Sequence, residues 1–213
     1  MVTLGTQEAD ESEILSPKSI MVAEDEHLLA RSLANDLTEL GYSVIGPASN
    51  GRKSIELARD NRPDMALMDI RMPEMDGLSA AQTLYSEMGV PVVILSAYSD
   101  PPYLRAGSRL GVFGYLIKPA SIEELRVSLT IAWARYLEQR RLSEEVVGLQ
   151  QKLEDRKVIE KAKGILQRKR GIAEDQAMRL LQKQARDTRR PMADLARAIL
   201  DAEDLLNMTS LDE

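Results

Sequence analysis

The chain has 213 residues, 44% of them apolar, and a formal net charge of −6, enough for one or two domains with real cores. It has no cysteine and one histidine, which excludes thiolate metal sites, cysteine nucleophiles and multi-histidine zinc sites and disfavours a Ser-His-Asp triad. The sequence contains no uncharged run of 18 residues, so no transmembrane helix is indicated. Residues 1–17 lack the basic start and apolar core of a signal peptide. We therefore expect a cytoplasmic protein without a membrane partner, with a disordered tail over 1–17.

Strand and helix signals alternate over the next hundred residues. Strands are predicted at 19–23, 42–45, 65–68, 90–95 and 112–117, and helices at 26–40, 52–60, 78–88, 102–110 and from residue 122 onward. Ser121, with Glu124 three residues later, has the pattern of an N-terminal capping box. This alternation is typical of an α/β fold in which helices cover a doubly wound, five-stranded parallel sheet.

One long helix is predicted to run from residue 122 to 170, and residues 136–155 form a helical linker within it. An apolar seam with spacings of 4, 3 and 4 residues lies in this part of the chain: Leu142, Val146, Leu149 and Leu153. Such spacing resembles the contact positions of a coiled coil. Pairing with a second chain and packing on the same chain both remain open.

The remainder predicts a small all-α domain of three helices over residues 156–206. Gly171 ends the long helix, an amphipathic helix covers 174–187, and Pro191 suits the first turn of a last helix. The apolar side chains of that last helix, Leu195, Ile199 and Leu200, are expected to face inward. An acidic tail follows at 207–213.

Polar side chains follow four of the predicted strands. Glu24 and Asp25 end the first, Asp69 the third, Ser96 the fourth and Lys118 the fifth. Parallel strands end at one edge of a sheet, where such folds place their chemistry. Carboxylates about 4 Å apart repel by roughly 4 kcal/mol per pair at an effective dielectric near 20, and a divalent cation with a preference for oxygen, such as Mg²⁺, relieves this. Asp69 then becomes a nucleophile that can accept a phosphoryl group. Taken one at a time, these five polar residues are more often turn, cap or loop residues.

This pattern resembles the receiver domain of two-component response regulators over about residues 18–135, which implies a flavodoxin-like fold. Besides the acidic pair, the matches are a D-x-x-M-P-x-x-D-G segment from Asp69 to Gly77, Ser96 before Ala97, Lys118 before Pro119, and the nearby aromatic Tyr115. Ala120 departs from the bulkier residue that many members carry.

The resemblance implies specific roles for these residues. A sensor histidine kinase would phosphorylate Asp69, and Mg²⁺ would bind Asp25, Asp69 and the Arg71 carbonyl, with Glu24 acting through water. The added phosphoryl charge would draw Ser96 towards it, and the Tyr115 side chain would fill the vacated space as a switch. Tyr115 as a fixed core aromatic is the alternative.

A basic segment covers residues 156–190, which contain 12 Lys and Arg against four Asp and Glu, a net charge of +8. Gly164 in mid-helix costs about 1 kcal/mol relative to Ala, so we expect a close helix contact there. The cations expected to stay accessible to solvent are Lys157, Lys161, Lys163, Arg168, Lys169 and Arg170. The charge favours nucleic-acid binding, and a merely solvated charged helix is the alternative.

This segment resembles the ANTAR domain, an RNA-binding output module of transcription antiterminators, over about residues 156–205. The matches are Ile159, the Ala162-Lys163-Gly164 triplet, Leu166, Gly171, Ala177, Leu180, Leu181, Ala185, Arg189 or Arg190, and Ala196. The resemblance implies binding of paired RNA hairpins by a dimer. Met178 stands where members often carry an aromatic residue, and no aromatic follows Tyr136, so contacts from Lys and Arg would replace base stacking.

The leading hypothesis is therefore a regulator, not an enzyme, in which phosphorylation of Asp69 favours a homodimer that binds RNA and controls transcription by antitermination. Two alternatives stay open: a response regulator that binds DNA through its three small helices, and a regulator that docks a protein partner through them.

Overall fold

The computed structural model describes residues 16–97 and 111–209. The chain divides into two compact units, Met1–Arg140 and Arg141–Glu213. The predicted helix at 102–110, residues 1–15 of the predicted N-terminal tail and residues 210–213 of the predicted C-terminal tail lie outside the described residues.

The first unit contains a five-stranded sheet, and all four of its strand pairs are parallel. Its strands are β1 (Ser19–Ala23), β2 (Ser43–Ala48), β3 (Met65–Asp69), β4 (Val92–Ser96) and β5 (Val112–Ile117), in the order β2-β1-β3-β4-β5. The helices among its described residues are α1 (His27–Glu39), α2 (Gly51–Asn61), α3 (Gly77–Met88) and the start of α4 (Ile122–Arg170). The predicted doubly wound parallel sheet is confirmed.

The core of this unit lies on both faces of the sheet, because successive strand side chains point to opposite sides. On one face Met21 and Met68 pack against the cluster that includes Leu84 of α3. On the other face Leu67 packs with Leu37 of α1 and Leu129 of α4. Strands β3 and β4 are buried along their whole length, as expected of central parallel strands covered by helices.

Two strand boundaries differ from the predicted ones by more than one residue. Strand β4 begins at Val92 instead of residue 90, because the amide of Val90 donates to the Leu84 carbonyl at the end of α3, 3.2 Å away. Pro91 has no amide hydrogen to donate. Strand β2 extends to Ala48, beyond the predicted end at residue 45.

The second unit is a three-helix arrangement of the later part of α4, α5 (Glu174–Thr188) and α6 (Met192–Thr209). Its buried centre consists of Ala162, Leu181 and Ala196, one residue from each helix. Two of these are alanines, whose small side chains let the helix backbones approach closely. The predicted all-α, three-helix domain is confirmed, and α6 continues to Thr209, into the first residues of the segment predicted as a tail.

Candidate functional sites

Three carboxylates meet at the carboxyl edge of the sheet. Asp69 is the last residue of β3, and Glu24 and Asp25 directly follow β1. One oxygen from each lies within 4.8 Å of the others. Glu24 and Asp69 are buried, whereas Asp25 is exposed. We call these three residues and Lys118 the acidic pocket.

Lys118 supplies the positive charge in the acidic pocket. Its Nζ donates to Glu24 Oε2 at 2.6 Å and lies 2.9 Å from Asp69 Oδ2. Burial opposes the charged ammonium, but the hydrogen bonds to Glu24 and Asp69 outweigh it and raise the pKa of Lys118. Burial has the opposite effect on a carboxyl group and raises the pKa of Glu24, although the Lys118 ammonium acts to lower it. The pocket therefore holds more negative than positive charge in a partly dry environment, which suits a cation or a phosphoryl group bound with one.

The connection from β3 to α3 fixes the backbone of Asp69. Asp76 caps α3, its Oδ1 accepting from the Ser79 amide at 2.9 Å. The Gly77 amide donates to the Ile70 carbonyl at 2.9 Å. A Cβ added to Gly77 would lie 1.9 Å from the Asp69 carbonyl oxygen. The Asp-Gly pair of the motif is thus explained by a cap and by a close backbone approach.

Asn50 is a positioning residue that the sequence did not reveal. It is 2% exposed, its Oδ1 accepts from the Lys53 amide at 2.8 Å, and its Nδ2 donates to Glu74 Oε1 at 3.0 Å. Glu74 belongs to the β3–α3 connection and has a φ of 64°. The contact between Asn50 and Glu74 joins residues 24 positions apart, and the Asn50-Gly51 pair by itself indicates only a turn.

The structure places Ser96 and Tyr115 on neighbouring strands. Ser96 is buried at the end of β4, and its carbonyl accepts from the Lys118 amide at 2.7 Å. Tyr115 is partly buried in β5 and packs against the apolar cluster on the α2–α3 side. Arg71 is exposed in the β3–α3 connection, two residues after Asp69. Their roles in switching and in metal binding stay predictions.

The second unit presents most of its predicted cations to solvent. Lys157, Lys161, Arg168 and Arg170 are exposed. Lys169 forms an ion pair with Glu203 of α6, in which its Nζ lies 2.5 Å from Oε2.

The prediction that Lys163 is accessible to solvent is wrong, because this residue is buried. Its side chain is 8% exposed, and its Nζ donates to Glu160 Oε2 at 2.8 Å and to Glu174 Oε1 at 2.7 Å. These hydrogen bonds raise the pKa of Lys163. The expected close helix contact at Gly164 is also wrong for the described residues, since a Cβ there would meet only the Arg168 side chain, at 3.5 Å.

Five of the eight predicted RNA-binding cations lie at the two ends of α5. Arg168, Lys169 and Arg170 end α4, beside the start of α5, whereas Arg189 and Arg190 follow the other end of α5 and are exposed. The 15 residues of α5 separate these groups by about 22 Å at 1.5 Å per residue. A ligand that contacts both groups must span that distance.

The predicted apolar seam on α4 is exposed in the single chain. Leu142, Val146, Leu149 and Leu153 are each 48–59% exposed. All four belong to the second unit. Their spacing is that of coiled-coil contact positions, and pairing with a second chain stays a prediction.

Two family models match the chain. The response regulator receiver domain matches residues 20–130, which include the whole acidic pocket. The ANTAR domain matches residues 148–200, which include α5 and the buried centre of the second unit.

One relative is similar to most of the chain, and solved receiver domains are similar to its first part. The transcriptional regulatory protein PdtaR of Mycobacterium tuberculosis is 38% identical over 185 residues, which cover 87% of this chain and 90% of that protein. The signal receiver domain of a modulated diguanylate cyclase from Desulfovibrio desulfuricans has a TM-score of 0.52 and 31% identity, covering 58% of this chain and 98% of its own. The receiver domain of the putative response regulator NarL from Mycobacterium tuberculosis has a TM-score of 0.50 and 29% identity, covering 55% of this chain and 97% of its own. None of the helices in the described residues is long and apolar enough to cross a membrane.

Proposed function

Because the chain belongs to the response regulators that join a receiver domain to an ANTAR domain, it is a phosphorylation-dependent regulator that acts by binding RNA, and we propose that Asp69 accepts the controlling phosphoryl group. The observation that carries this proposal is the geometry of the acidic pocket, where Lys118 Nζ lies 2.9 Å from Asp69 Oδ2. A carboxylate oxygen of Asp69 attacks phosphorus, and the bond from phosphorus to the histidine nitrogen of the kinase breaks.

The chain's own groups bind and orient the transferred phosphoryl group. Lys118 turns from its Asp69 contact towards a phosphoryl oxygen and keeps its hydrogen bond to Glu24. The Ser96 hydroxyl donates to a second oxygen. Asp25, Asp69 and the Arg71 carbonyl would hold Mg²⁺, and Glu24 would hold it through water; this all-oxygen donor set fits that ion. When bound, Mg²⁺ neutralises charge on the phosphoryl oxygens.

Phosphorylation then acts on the output through dimerisation. The new charge at Asp69 moves Ser96 and Tyr115 and so changes the surface beside β5. Two chains pair through that surface and through the exposed seam that starts at Leu142. The dimer presents two basic modules, and two weak contacts with paired RNA hairpins gain avidity without new contacts in either one. Binding of the hairpins would control transcription by antitermination.

Labelling with a small-molecule phosphodonor tests the acceptor. We expect label on the wild-type protein in the presence of Mg²⁺ and none on Asp69→Asn. Asp60→Asn, an exposed aspartate on α2, is the matched control and should label normally. Label on Asp69→Asn at another residue would refute the assignment of the acidic pocket.

Titration of nucleic acids tests the output. Hairpin RNA should bind with a steep salt dependence, of order −0.7 per phosphate contacted on single strands. Equal or tighter binding to duplex DNA would favour a DNA-binding regulator. Binding to neither would favour a module that docks a protein.

A further inference from the structure

The α4–α5 corner, residues 171–173, connects the basic end of α4 to the start of α5. Gly171 has a φ of 64°, and its amide donates to the Gln167 carbonyl at 2.9 Å. The Ala173 amide donates to Gln176 Oε1 at 3.1 Å. These bonds tie each side of the corner to its own helix, so they do not fix the angle between α4 and α5.

Lys163 makes the bond that crosses this corner. Its ammonium joins Glu160 of its own helix to Glu174, the first residue of α5. The two glutamates are 56% and 67% exposed, whereas the lysine side chain is 8% exposed. The lysine is therefore held inside the unit, with its charge neutralised by two carboxylates.

This arrangement is poorly suited to a direct phosphate contact. An RNA phosphate would have to displace at least one carboxylate and would approach the negative charge of the other. Arg168 and Arg170, in contrast, are exposed on the last turn of α4, just before the corner.

We propose that Lys163 is a positioning residue, which clamps the α4–α5 corner through Glu174 and so orients Arg168 and Arg170 towards RNA. This inference rests on the proposed RNA-binding function. It gives the lysine of the Ala162-Lys163-Gly164 triplet a role within the unit instead of at the RNA surface.

Two glutamine variants separate the clamp from a direct contact. Glu174→Gln removes the charged partner across the corner, and Glu160→Gln removes a partner of equal charge within α4. If Lys163 clamps the corner, Glu174→Gln weakens binding to a labelled RNA carrying two tandem hairpins, while Glu160→Gln changes it little. If Lys163 contacts RNA directly, both variants release it, and binding stays equal or becomes tighter, which would overturn the proposal.

The salt dependence gives a second readout. A clamp variant must order the corner when it binds, so its affinity falls. Arg168 and Arg170 still contact the same phosphates in the complex, and the slope of log affinity against log salt is unchanged. Loss of a phosphate contact reduces that slope by about one. We expect Lys163→Met to keep the wild-type slope and Lys163→Arg to retain most of the affinity. A slope reduced by about one in Lys163→Met would contradict the proposal.

Amide hydrogen exchange on the free protein makes the clamp testable without RNA. We expect faster exchange at Gly171 and Ala177 in Glu174→Gln than in the wild type or in Glu160→Gln. Unchanged exchange would refute the clamp. If the wild-type protein bound no hairpin RNA, the proposed function would fail, whereas the exchange result would still decide whether Lys163 holds the corner.

Discussion

Removal of the Lys118 charge is expected to destabilise the receiver domain strongly. Lys118→Met keeps the length of the side chain but leaves Glu24 and Asp69 without their cation. The Glu24 side chain is 1% exposed and that of Asp69 12%, so water replaces the lost partner only in part. Removing one partner of a buried ion pair while the other stays costs about 3–5 kcal/mol. We expect Lys118→Met to lose that much in the free energy of unfolding.

The exposed pair of Arg59 and Glu87 provides the matched control. Its atoms are 2.8 Å apart, a distance similar to those of the buried pairs, but its side chains are 56% and 53% exposed. Exposed pairs contribute about 0–1 kcal/mol. Arg59→Met should therefore cost several-fold less than Lys118→Met.

Urea unfolding at neutral pH, with and without Mg²⁺, measures both variants. The proposed binding of Mg²⁺ to the folded carboxylates predicts that the ion stabilises Lys118→Met more than the wild type and narrows the difference in unfolding free energy between them. Equal losses in Lys118→Met and Arg59→Met, or a loss in Lys118→Met that Mg²⁺ does not reduce, would refute the electrostatic account of the acidic pocket.

Three further predictions concern the scaffold and the dimer. Gly77→Ala should lower stability by about 1–3 kcal/mol and also slow phosphorylation, because the new Cβ meets the Asp69 carbonyl. In the control variant Gly148→Ala the Cβ meets nothing within 4 Å. Urea unfolding should show that this control gains about 1 kcal/mol in the free energy of unfolding. Asp76→Ala should cost about 1 kcal/mol at neutral pH. Burial acts to raise the pKa of Asp76, but hydrogen bonds from Ser79 outweigh it and lower that pKa. The stability from the cap is therefore present above the ordinary pKa of 3.8 and is lost as the pH falls through the lower pKa of the folded state. A cost of Asp76→Ala that is unchanged at pH 2 would contradict this. Leu149→Glu should leave the phosphorylated protein monomeric by light scattering, whereas persistent dimers would exclude the seam.

Much of the receiver fold was predictable because its signals are local. Alternating apolar runs gave the strands, and the side chains that end them had to meet once the strands were parallel. Asp69 and Lys118 are 49 positions apart in the chain, yet the ends of β3 and β5 predicted their proximity. The boundary at Val90 was missed because its amide bonds to the end of α3.

The second unit was less predictable because its contacts depend on helix packing. The three helices followed from Gly171, Pro191 and the apolar periodicity. The burial of Lys163 did not follow, since its partner Glu174 lies beyond a turn of unknown angle. The spacing of Glu160 and Lys163, three residues apart on one helix, was the only local signal of this ion pair.

The central claim is that phosphorylation of Asp69 increases RNA binding by the ANTAR domain. The most direct measurement is the affinity of the full chain for a tandem-hairpin RNA, with and without a phosphodonor and Mg²⁺, at fixed salt. We predict tighter binding by the phosphorylated wild type, by about 5–150-fold for a coupling of 1–3 kcal/mol, and no response in Asp69→Asn. Equal affinity before and after complete phosphorylation would contradict the account.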